Sequence, residues 1–350
     1  MHRIGKLSFP STIHIKPARI SSTFRPAFVR TRFKSLSIRK VASMSSEPEQ
    51  KKEDPKPHHE AMADAEKAIK RNPHGNFKEV EAGRPQWDSS AHWRMTQTVN
   101  PSWKAGDGAN DGGASLQKKH ISIDPYEDGR PATFNYKLLI SAIIPRPIGF
   151  VSTRSKDGSS TNLAPFSYFQ MVNHDPPMFI VGYAGGFDKA KDSLKNLVDS
   201  GECTINIISE HYLEAANAAS VNAPYGISEW ALTGLTPAES QNVKASRVKE
   251  AVFSVEGKLY KTEEFESRAT TGKKTGVLAM IEGVRFWARE DAINEEKNLL
   301  DPNVLRPMSR LGGITYARTL EGIEIPRPDW EELRKDAEPA GLAKPKVDGQ

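Results

Sequence analysis

The side chains best suited to chemistry lie in one stretch of the sequence, between residues 143 and 196. Small hydroxyl side chains, one amide and basic residues stand there in the turns between apolar segments. The candidate hydrogen-bonding residues are Arg146, Ser152, Thr153, Asn162, Ser167, Lys191, Asp192 and Ser193. Together such groups suit a phosphate and a flat ring with a polar edge. Lys191, Asp192 and Ser193 are expected where a helix begins, and free N–H groups and the helix dipole favour an anion there.

Each of these residues also has an ordinary structural interpretation. Asn162 could be a turn residue, and Lys191 could be a surface charge. Asp192 or Ser193 could cap the helix that follows, since both residue types are favoured at helix N-termini. The sequence of this region therefore indicates an anion site most strongly when its residues are taken together.

Other well-known catalytic motifs are absent from the sequence. There is no Gly-x-Ser-x-Gly, Walker loop or His-Glu-x-x-His, and residues 272–276 (GKKTG) lack the P-loop spacing and are expected in a hairpin turn. Hydrolase, nucleoside triphosphatase and zinc protease functions are therefore disfavoured. The single cysteine, Cys203, excludes an internal disulfide and a multi-cysteine metal site. Its alternating strand context predicts a small buried hydrophobe rather than a reactive thiol.

The net charge of +5 is unevenly distributed along the chain. Residues 1–44 contain ten basic and no acidic residues, which leaves 39 basic and 44 acidic residues in the remainder. The remainder shows no basic stripe, which argues against nucleic-acid binding by the folded part. A basic, Ser-rich, acid-free N-terminus predicts a mitochondrial presequence. The alternatives are a plain basic tail, or a cytoplasmic protein whose translation starts at Met44.

The remaining sequence divides by composition. Residues 45–119 are expected to be a linker, with a short helix near residues 60–71, and an extended arm. The arm carries Trp87, Trp93 and Trp103, which should pack on the domain or on a partner subunit. Residues 120–325 are expected to fold, and residues 326–350 to be a frayed polar tail. No apolar run approaches the roughly 18 residues of a membrane helix, which predicts a soluble protein without membrane insertion.

The folded region is predicted to be mainly β with inserted helices. A helix over residues 136–144 should end at Pro145. Further helices are expected at 190–198 and 210–219, and strands at 148–154, 178–184, 202–208, 253–259 and 277–289, with a short strand or two within 312–325. Residues 253–259 alternate apolar and polar, which predicts a half-exposed strand. Residues 220–250 are too long for a simple connection and are a candidate lid. Many strands with few helices favour an antiparallel barrel over a parallel sheet.

Five ordered motifs carry a family resemblance. They are PRPIGFVST (145–153), NLAPFSYF (162–169), DPP (175–177), KDS (191–193), and PMSRLGG (307–313) followed by Tyr316. In this order, over about residues 120–325, the chain resembles the flavin reductase-like family. The resemblance implies an FMN-binding split β-barrel, with non-covalent FMN at a homodimer interface and NADH or NADPH as the reductant.

The resemblance also implies site residues. The implied cofactor-binding residues are Arg146, Ser152, Thr153, Asn162, Leu163, Ala164, Pro165, Ser167, Lys191, Asp192 and Ser193. His174, Arg310 and Tyr316 are candidates for the substrate side, and no residue is assigned a catalytic role or a metal. Family members often carry Ser or Asn where this chain has His174, so its substrate side is expected to differ.

Two alternative functions remain compatible with the sequence. One is a different enzyme on the same barrel, such as an oxidase of the pyridoxamine-phosphate type. The other is an FMN carrier or binding module without turnover, since a fold does not determine a function. The sequence leaves open the electron acceptor and the choice between NADH and NADPH.

Overall fold

The computed structural model describes residues 67 and 69–342. The predicted presequence (1–44), most of the linker and residues 343–350 lie outside the described residues. Of the helix predicted near residues 60–71, Lys67 and Ile69 are described, and both are helical. Within the described ranges, no helix is long and apolar enough to cross a membrane.

The described chain consists mainly of β-strands with short helices between them, as predicted. The strands are β1 (Arg94–Thr96), β2 (Gly149–Arg154), β3 (Thr161–Phe166), β4 (Phe169–His174), β5 (Pro177–Ala184), β6 (Glu202–Ile207), β7 (Pro237–Ala238), β8 (Arg247–Val248), β9 (Phe253–Glu266), β10 (Lys274–Ala288), β11 (Met308–Arg310), β12 (Tyr316–Arg318) and β13 (Glu321–Ile323). The α-helices are α1 (Phe77–Ala82), α2 (Ala132–Ala142), α3 (Asp192–Ser200), α4 (Leu213–Ala218), α5 (Glu229–Thr233), α6 (Pro302–Leu305) and α7 (Trp330–Ala337).

A seven-stranded sheet in the order β3-β2-β6-β9-β10-β5-β4 forms the centre of the fold. Every neighbouring pair in it is antiparallel. The strand order places β3 and β4 at the two edges. The turn predicted from an Asp-Gly pair joins β2 to β3, and Gly158 takes a φ of +78° there. Glycine adopts this left-handed conformation without the steric cost that other residues meet.

One face of the sheet and α3 enclose the first hydrophobic core. Its members are Val151, Phe169, Phe179, Val181, Tyr183, Leu194, Leu197, Cys203, Ile205, Val255, Val277, Ala279 and Ile281. Leu194 and Leu197 lie on the inner side of α3, and burying each is worth about 1.5–3 kcal/mol. Because Cys203 belongs to this core, the prediction of a small buried hydrophobe is confirmed.

The opposite face of β2, β3 and β6 is covered by a second core. It contains Phe150, Leu163, Ile208, Tyr212, Trp230, Leu235, Val248 and Met308. Trp230, Leu235 and Val248 come from the segment expected to be a lid. For residues 229–248 that expectation is wrong, because these apolar side chains hold this part of the segment against the sheet as a packed layer.

The same layer explains why β9 differs from the half-exposed strand that was expected. Ser254, Val255 and Glu256 are all buried, so both faces of its first half are covered. The polar residues of the alternation face the layer, and Glu256 accepts hydrogen bonds from the backbone N–H groups of Gln241 and Asn242. The alternation of apolar and polar residues predicted that one face of β9 would be exposed. In the structure the packed layer covers that face.

The N-terminal arm is attached to the domain through β1, which pairs in parallel with β13. Trp93 lies against Gly322, where an added Cβ would come within 2.2 Å of the indole ring. The guanidinium of Arg318 stacks over Trp87 at 4.2 Å from the ring centroid. Trp103 donates its indole N–H to the carbonyl of Gly108 in its own loop. The predicted packing of the tryptophans on the domain therefore applies to Trp93 and to one face of Trp87.

The predicted fraying after residue 326 is wrong for residues 330–337, which form α7. The carboxylate of Asp329 accepts a hydrogen bond from the N–H of Glu332 and caps the helix. Glu331 and Glu332 lie in the first turn and Arg334 and Lys335 in the last, which complements the helix dipole.

Candidate functional site

The N-terminus of α3 offers backbone donors to an anion. The helix begins at Asp192, and the side chain of the preceding residue, Lys191, makes no capping hydrogen bond. The first intrahelical hydrogen bond comes from the N–H of Lys195 to the carbonyl of Lys191 at 2.9 Å. The earlier N–H groups have no acceptor within the helix, as in any helix N-terminus. The positive end of the helix dipole therefore lies next to residue Lys191.

Three buried side chains are linked beside this helix end. Ser193 donates its hydroxyl to Oδ1 of Asn162, and Nδ2 of Asn162 donates to Oε2 of Glu229 at 2.9 Å. The same carboxylate oxygen accepts the N–H of Leu163 at 3.1 Å. Glu229 therefore fixes the orientation of the Asn162 amide, so that its oxygen faces α3.

Glu229 is not among the residues predicted from the sequence. It lies 67 residues after Asn162, inside the segment that was expected to be a lid. Burial raises the pKa of Glu229 above its ordinary 4.5, against the hydrogen bond from Leu163, and the nearby charge of Asp192 also raises it. Because its pKa is raised, the Glu229 carboxyl is more easily neutralised and repels an anion at the start of α3 less strongly.

The segment before α5 forms a wall next to α3. Lys191 donates from Nζ to Oδ1 of Asn222, and Asp192 accepts the N–H of Gly226 at 3.4 Å. The Lys195 ammonium lies 3.9 Å from the centroid of the Tyr225 ring. Lys191 and Asp192 are thus positioned by the chain around them.

The outer edge of β3 runs away from this helix end. The N–H of Leu163 bonds to Glu229, so this residue's N–H and C=O point away from β2. Pro165, two residues further on, has the same orientation and no N–H to leave unpaired. Ala164 between them is small and half-buried. The edge therefore presents the carbonyls of Leu163 and Pro165 along a path that a ligand chain can follow.

Ser152 and Thr153 lie side by side on β2 but face opposite ways, because successive strand residues alternate. Ser152 faces the second core with Phe150. Thr153 pairs with Asn162 across the strands, and its side chain lies on the α3 face. Its buried Oγ1 has no hydrogen-bond partner within the described structure. A buried hydroxyl left unpaired is costly, and a ligand or water on this face would satisfy it.

Arg146 has a structural position rather than an open one. Its guanidinium donates to the carbonyls of Ile140, Ile143 and Leu311 at 2.6, 2.8 and 2.8 Å. Its Nε lies 3.4 Å from Oγ of Ser167. Arg146 thus joins the end of α2 to the loop after β11 and positions Ser167, and its own donors point to the protein.

The three candidates for the substrate side lie in two places. The guanidinium of Arg310 stacks over Tyr316 at 4.2 Å from the ring centroid, and the Tyr316 hydroxyl donates to Oδ1 of Asn217 at 2.9 Å. The backbone of Arg310 pairs with that of Arg146. His174 ends β4 opposite Pro177 and is exposed. Arg310 and Tyr316 therefore form one unit, and His174 stands apart from it.

The described residues contain no group of three or more His, Cys, Asp or Glu residues able to hold a metal. Burial raises the pKa of the Cys203 thiol to about 12, so this residue is not a thiolate nucleophile near neutral pH. The chemistry that this arrangement supports is the binding of an anion and of a polar ligand along β3.

Comparison with known proteins places this site in a family context. Residues 141–305 match the family model described as a flavin reductase like domain. An uncharacterized protein of Aquifex aeolicus is 38% identical over 185 residues, which covers 52% of this chain and 89% of the relative. Nitrilotriacetate monooxygenase component B from Bacillus cereus is 34% identical, with a TM-score of 0.56, over 59% of this chain and all of that one.

A second solved structure is 2-nitrobenzoate 2-nitroreductase NbaA from Pseudomonas fluorescens. It is 27% identical, with a TM-score of 0.52, over 61% of this chain and 98% of that one. A split barrel domain protein from Shewanella frigidimarina is 19% identical with a TM-score of 0.50 and shows the fold alone. The predicted split barrel is therefore confirmed, and the chain belongs to the flavin reductase-like family.

Proposed function

We propose that the protein binds FMN non-covalently and uses NADH or NADPH to reduce it, passing the electrons to a further acceptor. Membership of the flavin reductase-like family supports a flavin-binding oxidoreductase. The observation that carries the proposal is the start of α3, where the free backbone N–H groups of the first turn lie beside the Ser193–Asn162 pair and the edge of β3, with Lys191 as the residue before the helix. Phosphate and ribityl hydroxyls need this combination of donors and acceptors.

The residues present fit this cofactor. The N–H groups of the first turn of α3 and Lys191 would hold the phosphate. The hydroxyls of Thr153 and Ser193 and the carbonyls of Leu163 and Pro165 would serve the ribityl chain. The small side chain of Ala164 leaves space for a ring against β3. Arg146 would act indirectly, by positioning Ser167.

The protein's part in the reaction is to bind the flavin and to orient it. The bound flavin supplies the hydride chemistry, which requires no general base from the protein. The segment at residues 222–229 contacts the start of α3 and would wall one side of the site. The Arg310–Tyr316 unit would line the side from which the nicotinamide or the acceptor approaches.

Anaerobic mixing of the purified protein with NADH and with NADPH tests the function. We expect the flavin absorbance to bleach with at least one nucleotide, and acid denaturation to release FMN. A yellow protein that neither nucleotide bleaches would instead be an FMN carrier. Turnover of pyridoxamine phosphate with oxygen would favour the oxidase alternative, and release of FAD would contradict the cofactor assignment.

The exposed apolar side chains of α2 and β4 support a homodimer. Phe134, Leu138 and Leu139 on α2 and Met171 and Val172 on β4 are exposed in the single chain. We expect light scattering of the flavin-loaded protein to give twice the mass of the chain. Leu139→Asp should produce monomers, because a charge in an apolar interface is costly. The control, Leu299→Asp, changes a leucine that is 69% exposed elsewhere, and should remain dimeric. A wild-type monomer that retains FMN tightly would contradict the dimer.

Lys191→Ala is expected to weaken FMN binding by roughly 10- to 100-fold, since a hydrogen bond to a charged group contributes about 1.5–3 kcal/mol. Riboflavin lacks the phosphate and should bind the wild type and the variant almost equally. Fluorescence titration with both flavins measures the difference.

Two further variants make this measurement specific. Ser193→Ala should act in the same direction with a smaller loss, because a neutral hydrogen bond contributes about 1 kcal/mol. Lys156→Ala removes an exposed charge from the turn between β2 and β3 and should change FMN affinity little. If Lys191→Ala weakens both flavins equally and lowers the melting temperature, the lysine is structural and the phosphate assignment is wrong.

A further inference from the structure

A pocket of about 350 Å³ lies where the segment preceding the family-matched residues meets the loop after β11. One wall comes from residues 71–84 and the other from residues 312–316. The lining residues are Arg71, Pro73, His74, Phe77, Arg84, Gly312, Gly313, Ile314, Thr315 and Tyr316. Both walls lie outside the matched residues 141–305, and the wall from residues 71–84 also precedes the region that carries the family resemblance.

The two walls are closely fitted to each other. Gly313 has a φ of +59°, and a Cβ there would lie 3.1 Å from the carbonyl oxygen of Arg71. A side chain at this position would therefore be strained and would press on the opposite wall. The guanidinium of Arg71 also stacks over Tyr136 of α2, at 5.3 Å from the ring centroid. The segment before α1 is thus seated on the domain.

The chemistry of the lining is basic and aromatic. Arg71, His74 and Arg84 contribute basic groups, and among the residues that the structure describes no carboxylate lines the pocket. Phe77 and Tyr316 contribute rings, with the guanidinium of Arg84 5.7 Å from the centroid of Phe77. Basic groups bind anions with charge-assisted hydrogen bonds, and aromatic side chains stack on planar rings.

The pocket adjoins the substrate side of the proposed flavin site. Tyr316 is shared by both, and Arg310 stacks on it and donates from Nη2 to the carbonyl of Gly313 at 2.8 Å. Nη1 of Arg310 is buried and has no hydrogen-bond partner in the described part of the chain. This donor lies on a residue that contacts two of the lining residues, and an acceptor group on a ligand would satisfy it.

We propose that this pocket binds a small planar ring that carries an anionic group, and that it holds this ligand next to the flavin. The role of the ligand next to the flavin rests on the proposed function. The chemical class of the ligand rests on the lining residues alone. Two sources have this chemistry. One is the phosphorylated adenosine of NADPH, and the other is an aromatic carboxylate that accepts the electrons. A volume of about 350 Å³ is at the small end of ligand pockets, which suits one ring system with its charged group.

Calorimetric titration of the full-length, flavin-loaded protein with two probes tests the pocket. The probes are 2′,5′-ADP and 2-nitrobenzoate, each without a reductant, so that no turnover occurs. We expect at least one probe to bind, and its identity distinguishes the two sources. Arg84→Gln should weaken that binding by about 10-fold, because a charge-assisted hydrogen bond is lost. Because Arg84 is exposed, this change should not affect folding.

The control is Lys78→Gln, which removes a positive charge from the adjacent helix α1 without touching the pocket lining. It should leave binding within about twofold of wild type. His74→Gln provides a second variant of the lining and should weaken binding in the same direction as Arg84→Gln. Binding of neither probe, or equal effects of Arg84→Gln and Lys78→Gln, would overturn the inference.

The outcome also separates this inference from the proposed function. A protein whose flavin bleaches with a nicotinamide but which binds neither probe rejects the pocket alone. A protein that binds a probe through Arg84 but holds no flavin rejects the proposed function alone.

Discussion

Glu256→Ala is expected to lower the free energy of unfolding by about 3–5 kcal/mol, because several buried donors lose their acceptor at once. The residue is 0% exposed, and its carboxylate accepts three hydrogen bonds. The donors are the N–H groups of Gln241 and Asn242 at 2.8 and 2.5 Å and the indole N–H of Trp287 at 2.6 Å. Truncation leaves all three donors without their acceptor, and an unsatisfied buried donor costs about 1–3 kcal/mol.

Urea denaturation followed by tryptophan fluorescence measures this loss. Glu263→Ala on the same strand is the matched control, because its exposed side chain pairs with Lys261 at the surface. The control should stay within about 0.5 kcal/mol of wild type. A loss below about 1 kcal/mol for Glu256→Ala would show that water or another acceptor replaces the carboxylate.

The same carboxylate predicts a dependence of stability on pH. Burial pushes the pKa of Glu256 upward, but the hydrogen bonds from Gln241, Trp287 and Asn242 outweigh it and hold the pKa below its ordinary 4.5. A carboxyl whose pKa is lower in the folded than in the unfolded state stabilises the fold at pH values above the unfolded-state pKa. This stabilisation is lost as the pH falls through the folded-state pKa. Unfolding free energy should therefore decline with acid below about pH 4.5, and Glu256→Gln should reduce this decline.

Glu210→Ala is expected to cost about 3–5 kcal/mol as well, and in addition to release the N-terminal arm. The Glu210 side chain is 7% exposed and pairs with Arg306 and Arg318 at 2.6 and 2.7 Å. Both arginines also donate to the arm, Arg306 to the carbonyl of Ala91 and Arg318 to that of Asp88. Removing the shared carboxylate leaves two guanidinium groups close together without compensation.

Two measurements separate the parts of this prediction. Urea denaturation reports the stability loss, and hydrogen exchange of residues 88–96 reports release of the arm. Glu321→Ala is the control, because it breaks an ion pair to Arg94 whose side chains are 71% and 46% exposed. Such surface pairs contribute about 0–1 kcal/mol. If exchange in the arm rises equally in both variants, the arm is held by β1 pairing rather than by the Glu210 cluster.

The elements with a clear apolar period could be predicted from the sequence. Residues 178–184 and 277–289 correspond to β5 and β10, and the amphipathic stretch at 190–198 corresponds to α3. The apolar context of Cys203 correctly indicated a core position. In each case the hydrophobic residues of a single segment determine which side is buried, so local pattern is sufficient.

The buried acids could not be predicted in the same way. Glu210, Glu229 and Glu256 look like surface residues in a local pattern, because charged side chains are buried only when paired. Their partners are distant: Arg306 lies 96 residues from Glu210, and Asn162 lies 67 from Glu229. The backbone partners of Arg146 could not be predicted either, since this cation was expected to bind the cofactor and its guanidinium donates to three backbone carbonyls. Backbone acceptors have no sequence signature.

The parallel pairing of β1 with β13 has a consequence for how the protein is made. Arg94 and Glu321 are 227 residues apart in the chain. At synthesis rates of roughly 5–20 residues per second, the ribosome needs about 10–50 seconds to reach the second strand after the first. During that interval β1 has no partner strand, and Trp93 has no Gly322 to pack against. The arm can therefore dock only on a barrel whose seven strands have already been synthesised.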